Sequence, residues 1–326
     1  MGSPPTRPPA YRARVARYTG CYAEGRKLAS LAPHRHAVPP PCPYFGPCGG
    51  CTLQSLDYAA QLAEKRNQVE QTLRRVGKLG PSLDRLAAEA EAAAGAGGAA
   101  AGAVAATVGC REPFAYRNKT NTAQAAVLYD IVRRAAGLRP GRTDALLDLY
   151  CGTGAIGLAL AAECREVVGV EVAEAAASDA RRNASLNGIA NATFLCADVD
   201  QLTRLDELLQ QHEPFPSAAP SAAGGGAGDG GSAAAAAAAG GRFAPDVVVV
   251  DPARGGLSAA AAAFLAGCGA RRVVYVSCNV ATQARDLDRL VNGPGAAFRL
   301  AGVTPVDMFP HTDHVETVAV LERLGA

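Results

Sequence analysis

Short apolar runs alternate with longer segments of helical periodicity along the second half of the chain. The clearest run, Val247-Val-Val-Val250, has no polar side chain on either face, which is typical of a parallel strand covered on both sides of its sheet. The segments between such runs have the amphipathic spacing of helices. This alternation predicts an α/β fold with a doubly wound sheet. The predicted strands are 145–150, 166–172, 192–198, 246–251, 271–278 and 315–321, and the predicted helices are 124–136, 155–162, 173–187 and 281–290.

The front of the chain has a different pattern. Residues 11–31 alternate in the manner of two short strands, with a turn signal at Gly20. A helix is predicted over 58–76, because its apolar positions, which include Leu62 and Leu73, fall on one side.

Two tracts interrupt this order. Residues 87–106 and 217–241 are almost wholly Ala and Gly, and such segments bury too little apolar side chain to offset the entropy cost of ordering. We therefore expect both tracts to be disordered insertions. The whole chain has 326 residues, and the part outside these tracts still suffices for roughly two domains at about 150 residues each.

Basic residues are concentrated at the front of the chain. Residues 1–80 carry twelve Lys and Arg against four Asp and Glu, a net charge of +8, which leaves −6 for the remainder of a chain whose total is +2. A basic front on an acidic body suits a polyanionic partner held through its phosphates. A solvated surface with no such partner explains the charge bias equally well.

Hydropathy and cysteine content exclude several classes of protein. The chain has no run of about 18 strongly apolar residues, so we expect neither a membrane span nor a membrane partner. Its first residues lack the apolar core and cleavage site of a secretory leader, so we expect an intracellular protein, of the cytoplasm or a plastid. Ten cysteines in such a chain indicate metal or thiol chemistry more than a disulfide framework.

A glycine-rich loop follows the first predicted strand of the body. Asp148-Leu-Tyr-Cys-Gly-Thr-Gly-Ala-Ile-Gly157 leaves that strand and enters a helix, whose free N–H groups and positive dipole end favour a bound nucleotide. Glu171 ends the next strand, where a carboxylate would accept ribose hydroxyls. The loop alone does not distinguish a nicotinamide dinucleotide from S-adenosylmethionine, and a tight structural turn is the remaining alternative.

Three cysteines lie close together in the front segment. Cys42, Cys48 and Cys51 form a C-x5-C-x2-C array flanked by Pro and Gly. Such a loop can wrap three thiolates around one soft centre, either zinc or an iron–sulfur cluster. A fourth ligand is not evident from the spacing.

Reactive side chains end other strands of the body. Cys278 ends the strand 271–278, and Asp251 ends the strand 246–251. Both are expected at the carboxyl edge of the sheet, where open α/β sheets bind their ligands. The stretch Phe309–Glu316 adds two histidines and two acids. A thiol beside a carboxylate suits covalent catalysis on an electrophilic carbon, although an isolated cysteine at a strand end is commonly a core thiol.

Taken together, these segments resemble the RNA uracil-C5 methyltransferase family, the TrmA/RumA-like enzymes that use S-adenosylmethionine. The matching segments are Cys42–Gly77, Pro113–Lys119, Thr120–Tyr129, Asp148–Gly154, Asp251–Leu257, Val276–Asp286 and Val306–Glu316. Their joint occurrence in one order is highly specific to this family, and they cover most of the chain outside the two tracts.

The resemblance implies a site and a reaction. The family's nucleophile corresponds to Cys278 and its proton-abstracting base to Glu316, and the reaction is methyl transfer to C5 of a uridine in rRNA or tRNA through a covalent adduct at C6. The positions that would contact the methyl donor are Tyr150, Gly152, Gly154, Glu171, Asp198 and Asp251. Cys42, Cys48 and Cys51 would hold a 4Fe–4S cluster.

The resemblance also implies a domain organisation. Residues 1–41 correspond to part of an RNA-binding OB/TRAM-like barrel, 42–80 to the iron–sulfur loop and its helix, and 110–326 to a Rossmann-like methyltransferase domain, with 81–109 as an Ala/Gly insertion. We expect a monomer.

The chain departs from the family pattern in its centre. The family's Tyr-Arg-Asn-Lys and Asn-Thr-x-Gln motifs are fused at Lys119 and Thr120, so the segment that supplies the fourth cluster cysteine is missing, and Cys110 is the nearest substitute. Lys119 also replaces a glutamine that contacts the methyl donor in the family. These departures leave a second hypothesis open, a catalytically impaired RNA-binding derivative or truncated form of the same family.

Overall fold

The structure is a computed structural model, which describes residues 11–19, 22–30, 34–94, 103–114, 121–211 and 243–325. It divides into two compact units. The first comprises residues 1–64 and 311–313, and the second comprises residues 65–310 and 314–326. The predicted disorder of 217–241 lies outside the described residues.

The first unit begins with a hairpin. Strands β1 (Tyr11–Thr19) and β2 (Tyr22–Ser30) pair antiparallel, with irregular register after Arg12 and after Val15. This agrees with the two strands that the alternation of residues 11–31 predicts. Their assignment to part of an OB/TRAM-like barrel stays a prediction.

The second unit is built on a seven-stranded sheet of order β5-β4-β3-β6-β7-β9-β8. Strands β3 to β7 are parallel to one another, and β9 runs antiparallel to both β7 and β8. The strands are β3 (Ala145–Leu149), β4 (Glu166–Glu171), β5 (Ala192–Cys196), β6 (Val247–Val250), β7 (Arg272–Ser277), β8 (Phe298–Val306) and β9 (Glu316–Arg323). The predicted α/β sheet is confirmed, including every strand that the apolar runs indicate.

Helices cover both faces of this sheet. They are α1 (Tyr58–Arg75), α2 (Gly80–Ala94), α3 (Thr122–Ala136), α4 (Ala155–Leu160), α5 (Glu174–Leu186), α6 (Leu205–Gln211), α7 (Ala259–Gly267) and α8 (Val280–Val291). Side chains of β3 alternate between the two faces. Leu147 and Leu149 pack with residues of α2, α7 and α8, whereas Leu146 packs with residues of α3 and α4.

Helices α2, α6 and α7 and strand β8 were not predicted from the pattern. Helix α7 is Ala-Ala-Ala-Ala-Ala-Phe-Leu-Ala-Gly, so it lacks the polar face that reveals a helix in sequence. Strand β8 contains Gly302 and Pro305, residues that are depleted in strands. β8 forms the edge of the sheet beyond β9, the position where a strand tolerates proline.

The expected insertion over 81–109 is corrected at both of its ends. Residues up to Ala94 lie in α2, because alanine has the highest helix propensity and the buried side chain of Leu83 anchors the helix to the core. At the other end, Val104 is fully buried, and the N–H groups of Ala105 and Val108 bond to carbonyls of β8. The composition therefore overestimated the disorder of this segment.

None of the helices in the part of the chain that the structure describes has the length and hydrophobicity needed to cross a membrane.

A buried ion pair connects α1 to the segment that follows β8. The Lys65 ammonium lies 2.5 Å from the Asp307 carboxylate and donates a second hydrogen bond to the Phe309 carbonyl at 3.2 Å. Lys65 is 1% exposed and Asp307 is fully buried. A charge in such a place depends on its partner, because water does not solvate it.

We expect Lys65→Met to lower the free energy of unfolding by about 3 to 5 kcal/mol, since it removes the cation from a fully buried carboxylate. The control is Lys78→Met. Lys78 is 77% exposed and lies 3.7 Å from Asp288, so its loss should cost about 1 kcal/mol or less. Urea denaturation of both variants measures the difference, and equal losses would contradict the assigned role of the buried pair.

Candidate active site

The ends of β3, β4, β6 and β7 meet at one edge of the sheet, because these strands are parallel. The loops that leave this edge carry most of the site residues expected from the sequence. Ligands of open α/β sheets bind at this carboxyl edge.

The glycine-rich loop after β3 depends on positive φ angles. Tyr150, Gly152 and Gly154 have φ of +59°, +53° and +80°, in the left-handed region that favours glycine. A Cβ atom at Gly154 would lie 2.8 Å from the Phe194 ring, so this glycine allows close packing against β5. A Cβ atom at Gly152 would meet nothing within 4 Å. The backbone at Gly152 is therefore open to a ligand.

Glu171 holds this loop in place. One carboxylate oxygen accepts the Gly152 N–H at 3.0 Å and the other accepts the Ala173 N–H at 2.9 Å. Each oxygen keeps a lone pair for a further donor. Val172, the next residue, is 65% exposed, so an apolar surface lies directly beside this carboxylate.

Asp148 is a site residue that sequence reasoning did not select. It lies within β3, fully buried, and its carboxylate accepts the Gly157 N–H at 2.8 Å. Burial raises its pKa to about 7, and the nearby Asp251 adds to the shift. The signal in the sequence was an acid inside an otherwise apolar strand.

Tyr150 lies among acidic side chains. Burial, together with the charges of Asp200 and Asp198, raises its pKa to about 12. Asp198 caps the short helix that follows β5 by accepting the Asp200 N–H at 2.9 Å. Asp200 in turn accepts a hydrogen bond from the Ser258 hydroxyl, the N-cap of α7.

Strand register brings Cys278 and Glu316 together. β7 and β9 pair antiparallel, and their last pair at this edge is Ser277 with Thr317. Continued by one step, the same register sets Cys278 opposite Glu316, and the Glu316 carboxylate is close enough to raise the pKa of the Cys278 thiol. The sequence separates these two residues widely, so the antiparallel placement of β9 is what makes them neighbours.

The electrostatics of the pair follow from burial and from two further side chains. Burial raises the pKa of Glu316 to about 7, with Asp251 raising it and Arg254 lowering it. Burial also raises the pKa of the Cys278 thiol, which Glu316 raises further and the Arg254 guanidinium lowers. The pKa of Asp251 is itself raised to about 6 by burial. The Cys278 side chain is nonetheless exposed, so the thiol lies beside these charged groups within reach of solvent.

Arg254 was missed from the sequence, and the first turns of α8 hold its backbone. Asn279 and Thr282 each donate a side-chain hydrogen bond of 3.0 Å to the Arg254 carbonyl. Asp286, fully buried, accepts the Leu257 N–H at 2.7 Å and the Tyr275 hydroxyl at 2.9 Å. The loop over residues 251–257 is therefore fixed to α8, and Arg254 with it.

His311, from the stretch of two histidines and two acids, belongs to the first unit. Its carbonyl accepts the N–H groups of Thr52 and Leu53 at 2.8 and 2.9 Å, and its ring lies 3.1 Å from the Gln61 amide nitrogen. These contacts assign it a structural role in that unit.

The structure does not bring Cys42, Cys48 and Cys51 together around a centre. Cys48 is exposed and the other two are half-buried. Among the described residues, no group of three His, Cys, Asp or Glu side chains is arranged to hold a metal ion. In this arrangement the three thiols do not fit a cluster. Cys110, in the second unit, is buried and lies 3.5 Å from the Asn121 amide nitrogen.

Two family models match this chain. Residues 141–213 match the model described as a methyltransferase domain, and residues 239–324 match the model described as tRNA (uracil-5-)-methyltransferase. The first match contains the glycine-rich loop and Glu171, and the second contains Asp251, Cys278 and Glu316. The resemblance to RNA uracil-C5 methyltransferases is therefore confirmed, as is the Rossmann-like methyltransferase fold.

Curated relatives match nearly two thirds of the chain. An uncharacterized RNA methyltransferase of Chlorobaculum tepidum is 37% identical over 205 residues, which are 63% of this chain and 35% of the relative. One of Bacteroides thetaiotaomicron is 39% identical over 63% of this chain and 37% of its own length. The chain thus spans little more than a third of the length of these relatives.

A solved structure of the Pyrococcus abyssi tRNA (uracil-54, C5)-methyltransferase, in complex with S-adenosyl-L-homocysteine, is 30% identical. The similarity covers 62% of this chain and 39% of that chain, with a TM-score of 0.43.

The charges around Cys278 predict opposite effects of two substitutions. The thiol loses its proton above the pH at which Glu316 ionises, so the Glu316 anion opposes thiolate formation and the Arg254 cation favours it. We expect Glu316→Gln to lower the pKa of Cys278 and Arg254→Gln to raise it. The measurement is the rate of iodoacetamide alkylation against pH, resolved by peptide mass spectrometry. Cys196, exposed and remote from both residues in the sheet, is the internal control; a common shift in both variants would refute the assigned charges.

Proposed function

We propose that this chain transfers a methyl group from S-adenosylmethionine to C5 of a uridine in RNA. The observation that carries the proposal is the register of β7 and β9, which sets a thiol opposite a half-buried carboxylate at the carboxyl edge of the sheet. The two family matches support the proposal, because residues 141–213 contain the glycine-rich loop and residues 239–324 contain Cys278 and Glu316.

The pair suits the chemistry of uracil. C5 is a poor nucleophile until a thiolate adds to C6, which converts the ring into an enolate. In the proposed reaction the Cys278 thiolate forms the S–C6 bond, and the C5 carbon then attacks the methyl group of the sulfonium and releases neutral S-adenosylhomocysteine. Glu316 removes the C5 proton, the S–C6 bond breaks, and Cys278 leaves as the thiolate.

Arg254 and Glu316 suit the two halves of this reaction, addition of the thiolate and removal of the proton. The Arg254 guanidinium lowers the pKa of Cys278, so it favours the thiolate that adds to C6. Glu316, with a pKa raised to about 7, is a stronger base than an exposed carboxylate and is half ionised near neutral pH. Both groups must lose protons, so turnover should rise as the pH increases through 7.

The glycine-rich loop is the proposed site of the methyl donor. Gly152 leaves the backbone open, Glu171 keeps lone pairs for ribose hydroxyls, and the exposed Val172 offers an apolar contact for the adenine. Tyr150, Gly154, Asp198 and Asp251 complete the set of donor contacts that the resemblance implies. S-adenosylmethionine would supply the electrophilic methyl group here.

RNA is the proposed substrate because the front of the chain is basic, with a net charge of +8 over residues 1–80. A uridine inside folded RNA does not reach a thiol at a sheet edge, so the target base must leave its stack. No step of the reaction depends on the iron–sulfur cluster that the resemblance implies, which the arrangement of Cys42, Cys48 and Cys51 does not fit.

A second function, an RNA-binding derivative without activity, rests on one observation. The chain spans little more than a third of its curated relatives, so parts of the whole enzyme are not in this sequence. Equilibrium binding of S-adenosylmethionine separates the two functions: absence of binding at millimolar donor would favour the inactive derivative.

Substitution of Gly152 tests the donor site. We expect Gly152→Ala to weaken S-adenosylmethionine binding, because the new methyl group occupies the open space at the backbone. The matched control is Gly188→Ala, at a glycine with similar φ (+65°) and equally open surroundings in the loop before β5. Both variants should lose about 1 to 2 kcal/mol of stability from left-handed strain. Calorimetric titration measures the affinity, and equal affinities would contradict this donor site.

The covalent mechanism predicts distinct defects for the two reacting residues. With tritiated donor and uridine-containing RNA, Cys278→Ala should transfer no methyl group, since addition at C6 is the first step. Glu316→Gln should add and methylate but release slowly, so a denaturation-resistant protein–RNA adduct should accumulate on gels. Methyl transfer that survives Cys278→Ala would refute the mechanism.

A further inference from the structure

One buried side chain joins the two strands that carry the reacting pair. Gln283 lies on α8 and is fully buried. Its amide nitrogen donates to the Tyr275 carbonyl of β7 at 2.9 Å, and its amide oxygen accepts the Thr317 hydroxyl of β9 at 2.7 Å. A carbonyl accepts only, so the nitrogen must face Tyr275 and the oxygen must face the hydroxyl.

This bridge lies directly behind the reacting pair. Thr317 pairs with Ser277 in the last step of the β7–β9 ladder, and its hydroxyl also lies 3.2 Å from the Ser277 carbonyl. Beyond this step β7 ends and the chain turns into α8. Cys278 therefore lies one position beyond the last β7–β9 pair, whereas Glu316 is still paired on its other side, with Val306 of β8.

Gln283 adds a side-chain link between β7 and β9 at the point where their backbone pairing ends. It belongs to the same helix that follows Cys278, because its N–H bonds to the Asn279 carbonyl at 3.1 Å in the first turn of α8. Its side chain reaches Thr317, the neighbour of Glu316. Through these contacts it ties the segment of the thiol to the strand of the carboxylate.

We infer that Gln283, through Thr317, is a positioning residue that sets the distance between Cys278 and Glu316. This inference rests on the proposed function for its consequence in catalysis, whereas the distance itself is testable without RNA. A polar bridge of this kind is costly to bury unless both of its hydrogen bonds are made. Its place behind the pair gives this fully buried amide both of its hydrogen-bond partners.

Loss of the bridge should affect one half of the reaction. Formation of the S–C6 bond and methyl transfer depend on Cys278. Removal of the C5 proton and cleavage of the S–C6 bond depend on where Glu316 lies. A displacement of about 1 Å reduces such a step by up to a hundredfold, so the methylated adduct should persist.

Two substitutions remove the bridge with little change in volume. Gln283→Met keeps the length of the side chain without a donor or acceptor, and Thr317→Val removes only the hydroxyl. Thr317→Ser keeps the hydroxyl and should behave as the unaltered protein does. The control is Asn191→Ala. The Asn191 amide donates to the Ala161 and Cys164 carbonyls at 2.9 and 3.0 Å, next to the beginnings of β4 and β5 and so at the edge of the sheet opposite to the site.

The first readout is alkylation of Cys278 against pH, without RNA or donor. Glu316 and Asp251 raise the pKa of this thiol and Arg254 lowers it. If Gln283→Met and Thr317→Val displace Glu316, their alkylation profiles should move to lower pH, toward that of Glu316→Gln, whereas Thr317→Ser and Asn191→Ala keep the original profile. Unchanged profiles in folded Gln283→Met and Thr317→Val would overturn the inference.

The second readout compares uridine RNA with 5-fluorouridine RNA. Fluorine at C5 leaves no proton for Glu316, so trapping of this RNA reports addition and methyl transfer alone. Gln283→Met should trap it at nearly the original rate but release uridine RNA at least about tenfold more slowly. Equal slowing on both RNAs would overturn the role of Gln283 in positioning Glu316. If the unaltered protein traps no 5-fluorouridine RNA, the proposed function fails, while the alkylation profiles still decide the role of Gln283.

Discussion

The antiparallel pairing of β9 with β7 is the constraint on which the candidate site depends. Parallel strands alone bring Cys278 and Asp251 to one edge of the sheet, but a parallel neighbour of β7 would begin at the opposite edge. Because β9 runs the other way, its first residue, Glu316, enters the sheet beside the last residues of β7. A thiol at a strand end thereby acquires a carboxylate at a strand start.

The same edge of the sheet carries three acidic side chains with shifted pKa values. Asp148, Asp251 and Glu316 all have pKa values raised by burial, so their ionised forms disfavour the folded state. As pH rises from the ordinary carboxyl pKa to the raised values, the folded protein holds protons that the unfolded chain has lost, and stability falls. The wholly buried strands β3 and β6 offset this cost through apolar burial.

The sequence predicted the parts of the fold that rest on local patterns. Apolar runs located β3 to β7 and β9, and Cys278 with Asp251 followed from their places at strand ends. The pairing of Cys278 with Glu316 needed the resemblance, because periodicity does not give strand direction. Arg254, Asp286 and Gln283 could not be predicted, since their roles come from partners across the fold, such as the Leu257 N–H for Asp286 and the Thr317 hydroxyl for Gln283.

The Ala/Gly tract over residues 217–241 separates the two parts of the site along the chain. The glycine-rich loop lies before the tract, and the reacting pair lies after it. Parallel pairing of β3 with β6 joins the two halves, from Leu146 with Val247 to Leu149 with Val250.

The described chain resumes at Phe243, and Asp246 bonds to the Ala145 N–H at the beginning of β3. Strand β6 therefore enters the sheet at the edge opposite to the site. Loop closure costs only about 0.6 kcal/mol for each doubling of length, so a long connection before β6 weakens the fold little and leaves Cys278, Glu316 and the glycine-rich loop in register.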